Sequence, residues 1–306
     1  MKKKEPTRQH YVPKFYLRRF SKMCDNKEEI YVYDKIRNNV FKTNIKNVAL
    51  ENDFYTNTDF EDKYFLEKFF GKNIEPLMES RLKEVVQICS SYKVISSNYI
   101  IPDRLKLDLA YIIAFQFLRG KYTLEAAYRI APRIACELIN QFREISRYQD
   151  YDFYQNLYEM VTEKTFIKNT MWKQMFIQER MDYYAAVFYN KYWAFYALDE
   201  DVLLTCDIPV IVKDSKTKET KPFHVGLIQK DTVICFAISP RLLVVLYSEE
   251  SFLSEIDCKI YGVDDKALVD EYNRANVDQC NSQVYSKSEE LLKNVIKKIE
   301  FGYTKK

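Results

Sequence analysis

The sequence predicts an α+β protein: a helical middle region between a small N-terminal β-hairpin element and a mostly antiparallel C-terminal sheet, with a closing helix at the C-terminus. Three observations predict it. Apolar residues recur at helical spacing from Phe60 to about Met181. After Tyr183 they gather into short β-branched or aromatic runs separated by turn residues. A helical pattern then returns from Lys266 to about Leu292. No internal repeat or low-complexity linker divides the chain, so residues 1–306 are expected to form one domain. Within it we distinguish a basic arm (1–22), a hairpin plus helical region (23–182), and the sheet with its closing helix (183–306).

Taken in order, His10-Tyr11-Val12-Pro13 is extended, because proline disfavours the helical region at the residue before it. Pro13 then opens a short helix over Lys14 to Phe20. Glu29–Asp34 and Asn39–Thr43 alternate as a hairpin around Ile36-Arg37-Asn38. Phe60 to Ser90 is helical, with breaks expected at Gly71 and Pro76. Pro102-Asp103 opens a helix to Leu118, and Thr123 caps another in which Pro132 is a kink or a break. Thr162 to Met181 is a further helix. Strands are expected at Trp193–Leu198, Val202–Thr205, Pro209–Val212, Thr232–Ile238 and Leu242–Tyr247, with Lys213 to Lys221 as a charged loop.

Of the 306 residues, 47% are apolar and 30% charged, which excludes disordered and collagen-like classes. Five glycines are too few for a chain built around Gly-rich phosphate loops, and no P-loop, dinucleotide-binding, nucleophile-elbow or H-E-x-x-H pattern occurs. The net charge of +3 is uneven: residues 1–22 carry +7 and residues 293–306 carry +4, leaving −8 on the body. The basic ends either meet phosphate or an acidic surface, or simply keep an acidic body soluble. Seven scattered cysteines without a C-x-x-C pair suit reduced thiols and a cytoplasmic location. Two histidines are too few for a structural zinc site. No signal peptide is expected, and no apolar stretch is long enough to span a membrane. Oligomeric state is not legible.

The opening Gln9-His10-Tyr11-Val12-Pro13-Lys14-Phe15-Tyr16-Leu17-Arg18-Arg19-Phe20-Ser21 resembles the signature of the DUF4238 family, a functionally uncharacterised group described by its HYVP motif. Gln116-x-x-Arg119 resembles the family's Q-x-x-R element, and Thr205-Cys206-Asp207-Ile208-Pro209-Val210 its T-S-D-N-P-V. Ile238-Ser239-Pro240 resembles its P-L-S-P, and Asn273 with Val284-Tyr285-Ser286 its closing helix. Cys206 and Ile208 depart from the usual Ser and Asn, whereas Asp207 is retained. The resemblance spans nearly the whole chain and implies no activity.

The residues themselves suggest one. His10 lies just before a helix start, where the macrodipole disfavours an added proton, so a neutral imidazole could act as general base. The alternative is a strut fastening the arm to the body. Gln116 and Arg119 share a helix face, and Arg119 could clamp a phosphate or form a helix-end ion pair. Asp207 stands at a strand end, able to orient His10 or to cap its own turn. Gln9 and Gln116 would position a substrate, and Lys14 and Arg18 would meet its charge. If these converge, the chain is a nucleic-acid- or nucleotide-directed phosphodiesterase or nuclease-like enzyme. Antiviral defence is the setting we consider for it, with no residue behind that choice. A divalent ion enters only if carboxylates such as Glu51, Asp53 or Glu67 join; no metal ligand is assigned. His224 is expected in a strand as a satisfied structural histidine. The competing class is a non-enzymatic binding module whose HYVP motif is a clasp, with nucleic acid or another partner met elsewhere.

Overall fold

A computed structural model describes residues 5–91, 100–146, 150–220, 226–248, 255–262 and 265–303. In chain order, β1 (Arg8–His10) precedes α1 (Lys14–Leu17), β2 (Lys22–Cys24), β3 (Lys27–Asp34), β4 (Asn39–Asn44) and β5 (Leu50–Asn52). The helical region holds α2 (Phe65–Phe69), a π-helical turn at Phe70–Ile74, α3 (Glu75–Ser91), α4 (Asp103–Leu118), α5 (Lys121–Ile145), α6 (Tyr151–Thr162), α7 (Lys164–Met175) and α8 (Gln178–Tyr189). Then come β6 (Tyr192–Ala197), β7 (Thr205–Cys206), β8 (Ile211–Asp214), β9 (Thr232–Ser239), β10 (Leu242–Tyr247), β11 (Lys259–Gly262), α9 (Lys266–Gln279), β12 (Gln283–Ser286) and α10 (Glu289–Tyr303). The architecture is α+β with a closing helix, as the sequence predicts.

Two five-stranded sheets and one small strand pair carry the fold. The C-terminal sheet has the order β11-β6-β10-β9-β8, antiparallel except where β11 runs parallel to β6. Its strands β9 and β10 are apolar on both faces because helices and the opening segment cover them. The N-terminal hairpin β3–β4 does not stand alone. β12 pairs with Tyr31–Asp34 of β3 and with β7, so residues near the two ends of the chain share one sheet. β1 pairs only with β5, with His10 opposite Leu50.

The helices form a layer around α4. Most of its side chains from Leu105 to Leu118 are buried, so it is enclosed all round instead of showing one apolar stripe. It packs against α3 and α8, and α3 touches β6 and β9 of the sheet. α9 and α10 close over β3, β4, β7 and β12. Among the described residues no helix is long and apolar enough to cross a membrane.

Local expectations change where backbone bonding overrides periodicity. The helix expected from Thr162 to Met181 is α7 followed by the start of α8, with Thr162 closing α6. Glu163 turns extended and caps α7 by accepting from the Phe166 amide, and Ile177 turns extended before α8. The helix expected over Lys266–Leu292 is α9, strand β12 and α10. Cys280 leaves helical geometry, and the next three amides bond to Asp207 instead. Gly71 and Pro76 do not break the chain. The turn before Pro76 widens to a π-turn, which absorbs the proline's missing donor. α5 starts at Lys121, not at Thr123, whose hydroxyl donates back to the Phe117 carbonyl (3.1 Å), and it continues through Pro132. Val202–Leu204 is not a strand. Asn273 pins it, accepting from the Leu204 amide (2.9 Å) and donating to the Val202 carbonyl (2.8 Å). His224 lies outside the described residues.

Tyr16 ties the opening segment to the sheet. Its ring stacks on Phe236 with centroids 5.3 Å apart, and its hydroxyl donates to the Ala237 carbonyl (2.8 Å) and meets the Thr205 hydroxyl (2.9 Å). Both partners are buried. Tyr16→Phe should therefore lower stability by about 1–3 kcal/mol in urea denaturation, because it leaves buried polar atoms unpaired. A loss below about 0.5 kcal/mol would mean that the hydroxyl does not tie the two regions together.

Candidate functional site

The site is built on the backbone of His10 and Tyr11. Pro13 holds the preceding residues extended, so their carbonyls are left without helical partners. Gln9 is buried and saturated: its amide donates to the Pro6 carbonyl (3.0 Å) and the Thr56 hydroxyl (3.2 Å), and its carbonyl oxygen accepts from the Tyr55 amide. The His10 ring is buried and hydrogen-bonds the backbone at Ile45, while Nε2 has no partner. Burial, reinforced by the charges of Lys14, Arg119 and Arg8, lowers its pKa from 6.5 to about 4. The imidazole is therefore neutral at pH 7.

Gln116 and Arg119, one turn apart at the end of α4, both reach this segment. Gln116 donates to the Tyr11 carbonyl (3.3 Å). The Arg119 guanidinium is fully buried and donates to the His10 carbonyl (2.7 Å), to Glu75 Oε1 (3.0 Å) and to the Tyr55 hydroxyl (3.2 Å). Tyr55 completes the loop by donating to the Arg119 carbonyl (2.7 Å). The rings of Phe115, Tyr55 and Phe70 surround the cation with centroids 4.9–5.5 Å from it. The carboxylate of Glu67 shares this neighbourhood. Burial raises its pKa from 4.5 to about 7, Arg119 pulls it down and Glu75 pushes it up, and Oε2 is buried without a partner.

Asp207 belongs to a second clasp. Its buried carboxylate accepts from the amides of Asn281 (2.8 Å), Ser282 (2.7 Å) and Gln283 (2.9 Å) and from the Ser282 hydroxyl (3.0 Å). Burial pushes its pKa up against the pull of those donors. The four bonds hold the chain between α9 and β12. Cys206 is buried and its thiol donates to the Ile208 carbonyl, with burial and then Asp207 pushing its pKa up, so it is an unreactive thiol. Lys14 is exposed at the start of α1. Arg18 forms ion pairs with Glu28 and, at 3.6 Å, with Glu79.

The structure thus brings His10, Gln116 and Arg119 together through backbone carbonyls and ties Asp207 to a different segment. Tyr11 lies between them: burial, then the carboxylates of Asp207 and Glu51, push its phenol pKa up. Of the three carboxylates considered for a divalent ion, Glu51 pairs with Lys121 and only Glu67 stands beside Arg119. Among the described residues no group of three or more His, Cys, Asp and Glu side chains is arranged to hold a metal ion.

Sequence reasoning missed a cavity of about 320 Å³ in the helical layer. Phe69, Phe70, Phe115, Phe176, Ile112 and Met181 are among the apolar side chains that line it. An Arg81–Asp108 ion pair at 2.8 Å forms one polar edge, and Tyr111 and Gln178, both bonded to Asp182, form another. Phe65 and Phe69 stack at i, i+4 and lead from the surface toward Phe70. That spacing was the available signal, but a core helix shows it equally.

A two-sheet α+β body with a buried arginine clasping its opening strand defines the structural class. The chain belongs to the DUF4238 family, whose description is a protein of unknown function, with residues 8–290 matched. No curated protein and no solved structure matches it.

The two perturbed groups give opposite pH dependences. Between about pH 4 and 6.5 the unfolded chain protonates His10 and the folded one does not, so this group makes stability rise with pH. Between 4.5 and about 7 the folded chain retains a proton on Glu67 that the unfolded chain has lost, so stability falls with pH. Relative to wild type, Glu67→Gln should gain stability as pH rises from 4.5 to 7, and His10→Gln should lose it from 4 to 6.5. Denaturation midpoints across this range check both signs.

Proposed function

We propose that the chain is a non-enzymatic binding module in which the HYVP segment, Gln116 and Arg119 form a structural clasp, and that the aromatic cavity of the helical layer is its ligand site. The observation that carries this reading is the complete burial of the arginine. Nε and both terminal nitrogens each meet a protein acceptor, three of its five N–H donors, and the guanidinium is fully buried among aromatic rings, so it is not presented to a phosphate. Asp207 is likewise surrounded by donors of its own chain. A cavity of about 320 Å³ is at the lower end of ligand-site volumes and suits a small aromatic or apolar molecule. Arg81, Asp108 and Tyr111 at its edge offer orientation to a ligand's polar group.

Trp172 reports on this site without a label, since it stacks on Phe176, which lines the cavity, with centroids 5.8 Å apart. Titration with 1-anilinonaphthalene-8-sulfonate should show one saturable site by dye fluorescence and by Trp172 quenching. Ile112→Phe, which fills the cavity, should weaken it at least tenfold. His10→Ala should instead lower the melting temperature and leave dye affinity unchanged in the folded protein. Dye binding that ignores Ile112→Phe would contradict the cavity assignment.

One observation favours a second reading, in which the chain acts on a nucleotide or a phosphodiester of nucleic acid in the cytoplasm. Glu67, with a pKa near 7, and neutral His10 each hold an unpartnered buried atom beside Arg119, which suits general acid–base work. Nuclease and nucleotide hydrolysis assays, with and without a divalent ion, decide it. Turnover abolished by Glu67→Gln at an unchanged melting temperature would replace the binding-module reading. No turnover in the wild type leaves that reading standing.

A further inference from the structure

We propose that α5 pairs antiparallel with α5 of a second copy of this chain, about a two-fold axis passing beside Leu138. α5 is a 25-residue helix that packs on α6 and α7 yet leaves one stripe uncovered. Ile130, Ile134, Leu138 and Phe142 follow one another at i+4, and Ile145 closes the row at i+3. They are 43%, 51%, 58%, 61% and 81% exposed, so exposure increases along the helix. At 100° per residue the five side chains fall within about 120° of one face. That is the width of a core-facing stripe, and here no part of the described chain covers it.

The stripe is large enough to matter. Five such side chains expose on the order of 500 Å² of apolar surface, whereas scattered exposed apolar residues need no explanation. Two copies facing each other would bury roughly 1,000 Å² from these residues alone, close to the lower bound for a specific interface. α6, packed beside α5, exposes Tyr151, Phe153 and Met160 as further apolar surface.

Charge along the flank selects the occupant and its direction. Arg133, Glu137 and Glu144 lie along one side of the stripe. Among the described residues no ion pair is formed by Arg133 or Glu144. Antiparallel pairing centred on Leu138 sets Ile134 against Phe142 of the second copy and brings Ile130 within one residue of its Ile145. The same register brings Arg133 within one residue of Glu144 of the second copy, about 1.5 Å along the axis and on the same flank, while Arg143 lies on the other side of the helix, and the two-fold axis repeats the pair. Parallel pairing would instead set this flank against the opposite flank of the second copy, so Arg133 and Glu144 would not meet. The stripe therefore complements itself in one orientation only. It lies on helices other than α2, α3, α4 and α8, which line the cavity, so pairing leaves that site open.

Sedimentation equilibrium of the full chain tests this. The expected result is a concentration-dependent dimer of the 36.7 kDa chain. Leu138→Asp should weaken it at least tenfold without lowering the melting temperature of the monomer, because the side chain is exposed. Arg133→Glu and Glu144→Arg should each weaken it, and the double swap should restore it, which only antiparallel apposition of these two residues explains. In a Cys136→Ser background, Leu138→Cys should give a disulfide-linked dimer on mild oxidation, while Ile130→Cys should not. A monomer at every concentration would assign the stripe to another protein or to a lipid surface and overturn the proposal. A dimer indifferent to Leu138→Asp, or a double swap without rescue, would overturn it equally.

Discussion

A single fully buried guanidinium organises this protein. Arg119 has nothing but protein around it: the His10 carbonyl, Glu75 and the Tyr55 hydroxyl in its plane, and three aromatic rings about it. A buried cation is tolerable only when every donor is met and a counter-charge is near. Glu75 supplies the charge from the start of α3, Tyr55 comes from the loop after β5, and His10 lies at the end of β1. One side chain on α4 therefore fixes the relative positions of the opening strand and the helix that follows the π-turn. Removing it would leave the buried His10 carbonyl and Tyr55 hydroxyl without their donor and Glu75, still 24% exposed, without its counter-charge, so the loss should fall below the roughly 3–5 kcal/mol of a fully buried pair.

The same logic recurs at Asp207 and Asn273. Each is a buried polar side chain that satisfies backbone groups of a distant segment in place of a helix or strand. In a protein with only five glycines, irregular connections are held less by permissive backbone than by side chains that cap them. Gln116, Arg119 and Asp207 thus spend their polar groups on backbone and side chains of the fold. His10 Nε2 and Glu67 Oε2 are among the buried atoms that have no hydrogen-bond partner.

Much of the architecture was legible because it rests on local patterns. The 3.6-residue spacing around α4 and the apolar runs of β9 and β10 are strong signals, and each element lies where its pattern placed it. The strand β12 was not legible. Gln283–Ser286 follows helical spacing without a break, and only the distant Asp207 carboxylate draws the preceding amides out of a helix. The division between α6, α7 and α8 was hidden for a related reason, since Glu163 caps a helix without interrupting the apolar pattern. For the site, sequence identified polar residues that interrupt apolar faces, Gln116 and Arg119 among them. It could not tell that these would meet main-chain carbonyls, because a carbonyl partner leaves no mark in the identity of the residue that carries it. The cavity and the exposed face of α5 arise from how helices stack, which periodicity alone does not specify.

The account rests on Arg119 holding the opening strand by its backbone, and native-state hydrogen exchange of Arg119→Lys measures that directly. Lysine keeps the charge but lacks the planar fork, so it cannot meet the His10 carbonyl, Glu75 and the Tyr55 hydroxyl together. The account predicts lost protection at the amides of β1 and β5, Arg8–His10 and Leu50–Asn52, with the C-terminal sheet β6–β10–β9 as protected as in the wild type. Unchanged protection at β1 and β5 would contradict it, because the opening strand would then be held by something other than the arginine.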